Sequence, residues 1–144
     1  MHPAASITPL DIYAWCEPAD GGMSPGQRAF HQHPARYRRL QAGNQVGKSY
    51  AGAAEAWWAM TGTHPYAPAP PARLGWIVMP DMDGGWPKIS SKLRELQPGN
   101  VLAERCRYDP VRGYVSGGKR CIELRSGSVC YPKSGTQDPL ALEG

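Results

Sequence analysis

Long apolar runs are missing from this chain. No stretch approaches the ~20 apolar residues of a membrane-spanning helix, and the N-terminus lacks the basic and apolar regions of a secretory signal. A cytoplasmic protein with no membrane partner is expected. Close cysteine pairs are missing as well. Cys16, Cys106, Cys121 and Cys130 have no C-x-x-C spacing, and the four histidines supply no zinc-finger pattern. His31 and His33 stand two apart and would point apart on a helix. These absences exclude the metal sites that spacing alone reveals. Free thiols in a reducing compartment are the simpler account. Internal repeats are absent too, and charge is sparse. Charged residues make up 19% and hydrophobic ones 41%, which is globular composition rather than disorder. The formal net charge is only +4. That excess favours acidic partners such as nucleic acid or nucleotide without requiring them.

Glycine (17) and proline (15) are abundant, which implies many turns. At 144 residues the chain is one domain or part of a larger one. Thr8-Pro9 and Ser24-Pro25 are helix-start signals, followed by Leu10 to Cys16 and by Gln27 to His31. Tyr37-Arg38-Arg39-Leu40-Gln41-Ala42 reads as a short strand. Tyr50 to Met60, rich in alanine and closed by Gly62, reads as a helix able to pack closely on a sheet. Residues 63–72 form a proline-rich segment, read either as a surface crossover or as a polyproline ligand for a partner. Leu74-Gly75-Trp76-Ile77-Val78-Met79 fits a strand buried on both faces. Asp81, at its end, is a candidate Mg²⁺ ligand. A helix begins near Pro87, with Ile89, Leu93 and Leu96 on one face. Arg120 to Arg125 and Ser128 to Tyr131 read as a hairpin around Ser126-Gly127. The basic residues from Arg105 to Lys133 mark either a charged sheet edge or a nucleic-acid surface.

The segment with the most chemistry is Ala42-Gly43-Asn44-Gln45-Val46-Gly47-Lys48-Ser49. It departs from the phosphate-binding pattern G-x-x-x-x-G-K-[ST] only at Ala42, and Asn44 tolerates the positive φ that lets the loop turn. Gly47 lets the backbone approach a phosphate closely. The backbone N–H groups of Gly43, Asn44, Gln45, Val46 and Gly47 can converge on it. Lys48 places a cation by the β- and γ-phosphates, and Ser49 offers a hydroxyl to Mg²⁺. ATP and Mg²⁺ are therefore the expected cofactors. A strand, this loop and a helix N-terminus in series form a phosphate site. Strands alternating with helices predict an α/β fold. The expected form is a P-loop NTPase three-layer sandwich with a mainly parallel sheet, incomplete at the C-terminus. Residues 1–34 form a helical and loop segment, and residues 35–144 a partial ATPase core.

The run Gln41 to Ser49, with Glu55-Ala56-Trp57-Trp58, Thr61-Gly62, His64-Pro65-Tyr66 and Gly75-Trp76-Ile77-Val78, resembles the ATPase part of the large subunit of tailed-phage terminases. The likeness covers residues 24–144 and is strongest over 41–86. It implies an ATPase that moves dsDNA into a procapsid. It also implies portal and small-subunit partners, a homo-oligomer and a host bacterial cytoplasm. The resemblance assigns Gln27 an adenine contact and Lys48 a catalytic role. Where some members carry an arginine inside the loop, this chain has Asn44. No apolar strand ending in Asp-Glu occurs, so the chain reads as a fragment lacking that strand and the nuclease domain. A helicase-like or other P-loop NTPase, or a nucleotide- or DNA-binding module without turnover, are the alternatives.

Overall fold

Pro25 takes the first position of the first helix, α1 (Pro25–Gln32), where its missing N–H leaves no intrahelical bond unmade. The computed structural model describes residues 25–39 and 48–135. The expected helix from Leu10 and the loop residues Gly43 to Gly47 lie outside them. Helix α2 (Lys48–Thr61) buries Ala51, Ala53 and Ala54 together with Trp57 and Trp58. Small side chains on one stretch and indoles on the next give a close approach followed by a large apolar contact. Gly62, at φ 70°, ends the helix, and the Thr63 N–H closes on the Trp58 carbonyl at 3.0 Å. A β-carbon at Gly62 would stand 2.8 Å from the Pro71 ring. The proline-rich segment is thus a crossover laid against α2, fixed at its far end by Ala72 N–H on the Ala59 carbonyl at 2.8 Å.

The crossover delivers β1 (Leu74–Met79), and α3 (Met82–Glu95) follows at once. Gly84 and Gly85 lie inside α3, earlier than the helix start expected near Pro87. A β-carbon at Gly85 would meet the Met79 side chain at 3.0 Å, so glycine lets α3 fold back against β1. Three short strands come next: β2 (Cys106–Asp109), β3 (Gly113–Ser116) and β4 (Lys119–Arg120). They form an antiparallel meander. Its first turn is held by the Asp109 carboxylate, which accepts from Val111 N and Arg112 N. Its second places Gly117 and Gly118 at positive φ, where glycine carries no steric penalty. After Cys121 the chain changes sheets. β5 (Ile122–Glu123) pairs antiparallel with β6 (Val129–Ser134), and β6 runs parallel to β1, Leu74 opposite Val129 and Met79 opposite Ser134.

The described residues therefore make three helices and two three-stranded sheets, ordered β1-β6-β5 and β2-β3-β4. This overturns the expected three-layer sandwich on a mainly parallel sheet. Among the described strands only the β1–β6 pair is parallel. Residues 106–120, which a further strand–helix unit would have needed, are consumed by the meander. Tyr37 to Arg39, expected to begin a strand, is irregular. The expected hairpin is present, but Arg120 belongs to the other sheet and the turn is longer, with Leu124 N–H on the Ser128 carbonyl. β1 also departs from expectation. It is covered on one face only, and Leu74, Trp76 and Val78 are exposed.

The core lies between α2, α3 and the sheets. Trp57, Trp86, Tyr114, Leu93 and Ile122 are wholly buried. Both indole N–H groups find carbonyls, Trp57 on Leu93 at 2.9 Å and Trp86 on Tyr114 at 3.0 Å, which removes the cost of burying a donor. No helix among the described residues is long and apolar enough to cross a membrane.

Candidate functional site

Lys48 and Ser49 are the first two residues of α2, and both are exposed. The first turn of a helix presents N–H groups without intrahelical partners and the positive end of the helix dipole. Ser49 also lines a cleft of about 580 Å³ between α2, α3 and the carboxyl end of β1, with Val78, Met79, Lys88, Ser91 and Lys92 among its other walls. Lys88 and Lys92 are one turn apart on α3 and give that wall positive charge. Lys92 donates to the Tyr50 hydroxyl at 3.1 Å and stands 4.5 Å over its ring. That hydrogen bond raises the Lys92 pKa and keeps the side chain charged. No carboxylate is among the described residues that line this cleft, but Glu95 stands beside it, accepting from the Tyr50 hydroxyl and acting on Lys92.

Gln27 is buried on the face of α1 that also carries His31. Asp81, the candidate Mg²⁺ ligand, serves as the N-cap of α3, its carboxylate accepting from Gly84 N–H at 2.7 Å. The three described cysteines, Cys106, Cys121 and Cys130, are buried free thiols. Burial pushes all three pKa values up, Cys130 to about 12, so they stay protonated and unreactive near neutrality. In the basic region Arg105 pairs with Glu123 and Arg120 with Asp83.

The structure brings together a second set of residues that spacing did not. Glu55, two turns after Lys48 on α2, accepts at one carboxylate oxygen from Arg38. Its other oxygen accepts from His31 Nδ1 at 3.1 Å and His64 Nε2 at 2.5 Å. Trp58 packs edge-on between the two imidazoles, with ring centroids 4.6 Å from His31 and 5.0 Å from His64. Burial alone would raise the Glu55 pKa. The hydrogen bonds from His31 and His64 and the charge of Arg38 outweigh it and hold the carboxyl below its ordinary value.

The ligand atoms of His31, Glu55 and His64 lie within 4.8 Å of one another, a size that would suit a cation. The protons argue otherwise. His64 Nδ1 accepts from the backbone N–H groups of Tyr66 and Ala67, both at 3.1 Å. The neutral ring therefore carries its hydrogen on Nε2, aimed at Glu55, where a metal would need a lone pair. Glu55 was visible in the sequence as the sole acid of α2. Its partners come from residues 31, 38 and 64, and no periodicity links them.

Comparison of the chain with protein-family models, with curated proteins and with solved structures found no match.

Proposed function

We propose that this chain binds Mg·ATP through residues 43–49 and serves as the ATP-binding part of a DNA-packaging motor similar to the terminase large subunits. The observation that carries the nucleotide reading is the placement of Lys48 and Ser49. The two residues that would meet phosphate and Mg²⁺ open a 14-residue helix beside a cleft walled by Lys88 and Lys92. A triphosphate there would meet the positive N-terminal end of α2 and cationic side chains together. The Ser49 hydroxyl is a hard oxygen donor, of the kind Mg²⁺ takes. Bound Mg²⁺ would neutralise charge on the β- and γ-phosphates. Lys48 would hold the γ-phosphate, and the 43–47 backbone would hold the β-phosphate.

The motor reading rests on the sequence resemblance. With it come dsDNA, a portal, a small terminase subunit and further copies of the chain as proposed partners, and the bacterial cytoplasm as the proposed location. Gln27 is proposed to bear on the choice of adenine. Its buried position means that any such effect acts from the α1–α2 interface. A binding module without turnover is favoured by one observation, the lack of a carboxylate among the described residues lining the cleft.

Calorimetry tests the nucleotide reading. A charge-assisted bond to phosphate contributes roughly 1.5–3 kcal/mol, so Lys48→Ala should weaken Mg·ATP binding by about tenfold or more. Equal affinity of wild type and variant would refute it.

A further inference from the structure

We infer that the outer face of the β1–β6–β5 sheet is a platform for single-stranded nucleic acid. Trp76 and Tyr131 stack on bases there, and Lys133 and Arg105 meet phosphates. The inference does not rest on the nucleotide reading of residues 43–49.

Side chains along a strand alternate between faces. In β1, Ile77 and Met79 pack on the core, so Leu74, Trp76 and Val78 share the outer face, and all three are exposed. In β6, Cys130, Pro132 and Ser134 are buried, and Val129, Tyr131 and Lys133 are half-buried on the outer side. The parallel register sets Leu74 beside Val129, Trp76 beside Tyr131 and Val78 beside Lys133. Two aromatic residues therefore stand side by side in the middle of the face, on strands about 4.8 Å apart. The Lys133 Nζ lies 5.2 Å from the centre of the Trp76 ring. Arg105, its side chain 69% exposed, stands near Tyr131. Glu123, the acid in register with this face, is opposite Val129. Its carboxylate already accepts from Arg105 at 2.7 and 3.1 Å and from the Ser116 hydroxyl at 2.8 Å. That pair uses Nε and Nη2 of Arg105, and Nη1 is the donor left for a phosphate.

Aromatic rings flanked by cations complement a strand whose bases are unstacked and whose backbone is anionic. A duplex keeps its base faces inside its own stack and would engage only the cations. The Lys133 contact is made at a partly exposed ring and is weaker than a base stack, so a base displaces the ammonium from Trp76 towards the adjoining phosphate. A second copy laid face to face would bring Lys133 and Arg105 of both chains into one interface, like charge against like.

The test is fluorescence anisotropy of labelled oligothymidylate and oligouridylate, each of about 15 nucleotides, and of a duplex of equal length. The proteins are the whole chain, Trp76→Ala, Trp76→Phe, Tyr131→Ala, Lys133→Gln and Tyr37→Ala, with near-UV circular dichroism as a check of folding. The whole chain should bind both single strands with affinity that falls as salt rises, and bind the duplex more weakly. Trp76→Ala should weaken single-strand binding about tenfold and Tyr131→Ala about fivefold, with duplex binding unchanged. Trp76→Phe, which keeps a ring, should retain most of the affinity. Lys133→Gln should reduce the slope of log affinity against log salt by about 0.7. Tyr37→Ala removes a ring that is exposed elsewhere and should change nothing. Trp57, Trp58 and Trp86 are wholly buried, so a single strand should also quench tryptophan emission in the whole chain and not in Trp76→Phe. Should Trp76→Ala unfold, Trp76→Phe and Tyr131→Ala carry the test. Undiminished single-strand affinity in folded Trp76→Ala or Tyr131→Ala would reduce the binding to charge alone and overturn the platform, as would failure of the whole chain to bind either strand at low salt. Sedimentation that shows a dimer dissolved by Trp76→Ala, with no oligonucleotide bound, would assign the face to a second copy and overturn it too.

Discussion

Asp81 stands two residues after β1 and opens α3 with its side chain. Its carboxylate takes the Gly84 N–H, one of the donors that a helix start leaves unpaired. Asp81→Ala should lower stability by about 1 kcal/mol, read as a shift in urea midpoint, while Mg·ATP affinity stays unchanged. A loss of affinity would restore Asp81 to the metal. The sequence marks Asp81 only as a candidate Mg²⁺ ligand, although an acid after an apolar strand is common to caps and to metal sites. The cap signal was Asp81 itself, three residues before the Gly84 N–H. It was obscured by Gly84-Gly85, after which the helix start was expected near Pro87. Glycine at 85 is there for space: the Met79 side chain occupies the place of a β-carbon. That is a tertiary cause no local pattern announces. Gly113 is the same kind of case. It sits at φ 82°, and a β-carbon there would approach Ser90 Oγ to 2.5 Å.

The joint between α1 and α2 is polar, and its stability should depend on pH. Glu55 has a folded pKa below its ordinary value of 4.5. The unfolded chain therefore takes up the proton first, and protonation favours unfolding. Its contribution is complete above the ordinary carboxyl range and is lost as pH falls through the lowered folded value. The urea midpoint should fall between about pH 5 and pH 3. Glu55→Gln should flatten that slope without abolishing it. Two other carboxylates also have lowered pKa values, Asp109 through the backbone N–H groups of Arg112 and Val111, and Glu123 through its hydrogen bond from Arg105. An identical slope in the variant would mean that the cluster contributes nothing to folding. At this scale α1, α2 and β1 were legible, because proline starts, alanine-rich periodicity and an apolar run are local signals. The faces of β1 were not. Its run is apolar at every position, so nothing in it distinguishes exposed Leu74 and Val78 from Ile77. The β2–β4 meander was missed because strands of two to four residues are too short to show a period. Gly117-Gly118 between Val115-Ser116 and Lys119-Arg120 was the signal available for its second turn.

The whole molecule departs from the expected sandwich for a reason of connectivity. The G-K-S segment and the helix after it predicted their own local structure, and α2 is there. They did not predict how residues 106–134 would pair. The sheet that receives β1 is completed instead by β6 and its hairpin partner β5, which follows directly on the last strand of the other sheet. What this arrangement presents to a nucleotide is asymmetric. The cleft beside Ser49 carries Lys88 and Lys92 and, among the described residues that line it, no carboxylate. Cations and helix N–H groups suffice to hold a triphosphate. Hydrolysis also requires a group that positions water for attack on the γ-phosphate. Asp81 is committed to its cap, Glu55 to Arg38 and the two histidines, and Glu95 to the Tyr50 hydroxyl, while Glu143 lies outside the described residues. Binding and turnover should therefore separate. At a concentration about 100 times its Kd, ATP should stabilise the folded chain by about 2.7 kcal/mol, visible as a rise in Tm of several degrees. Phosphate release should remain near background, since losing a catalytic group costs orders of magnitude in rate. Wild type and Lys48→Ala assayed side by side decide the matter. A Tm rise that Lys48→Ala removes, with equal background release from both, is the expected result. Strong phosphate release that Lys48→Ala abolishes would mean that these 144 residues already contain the group that positions water.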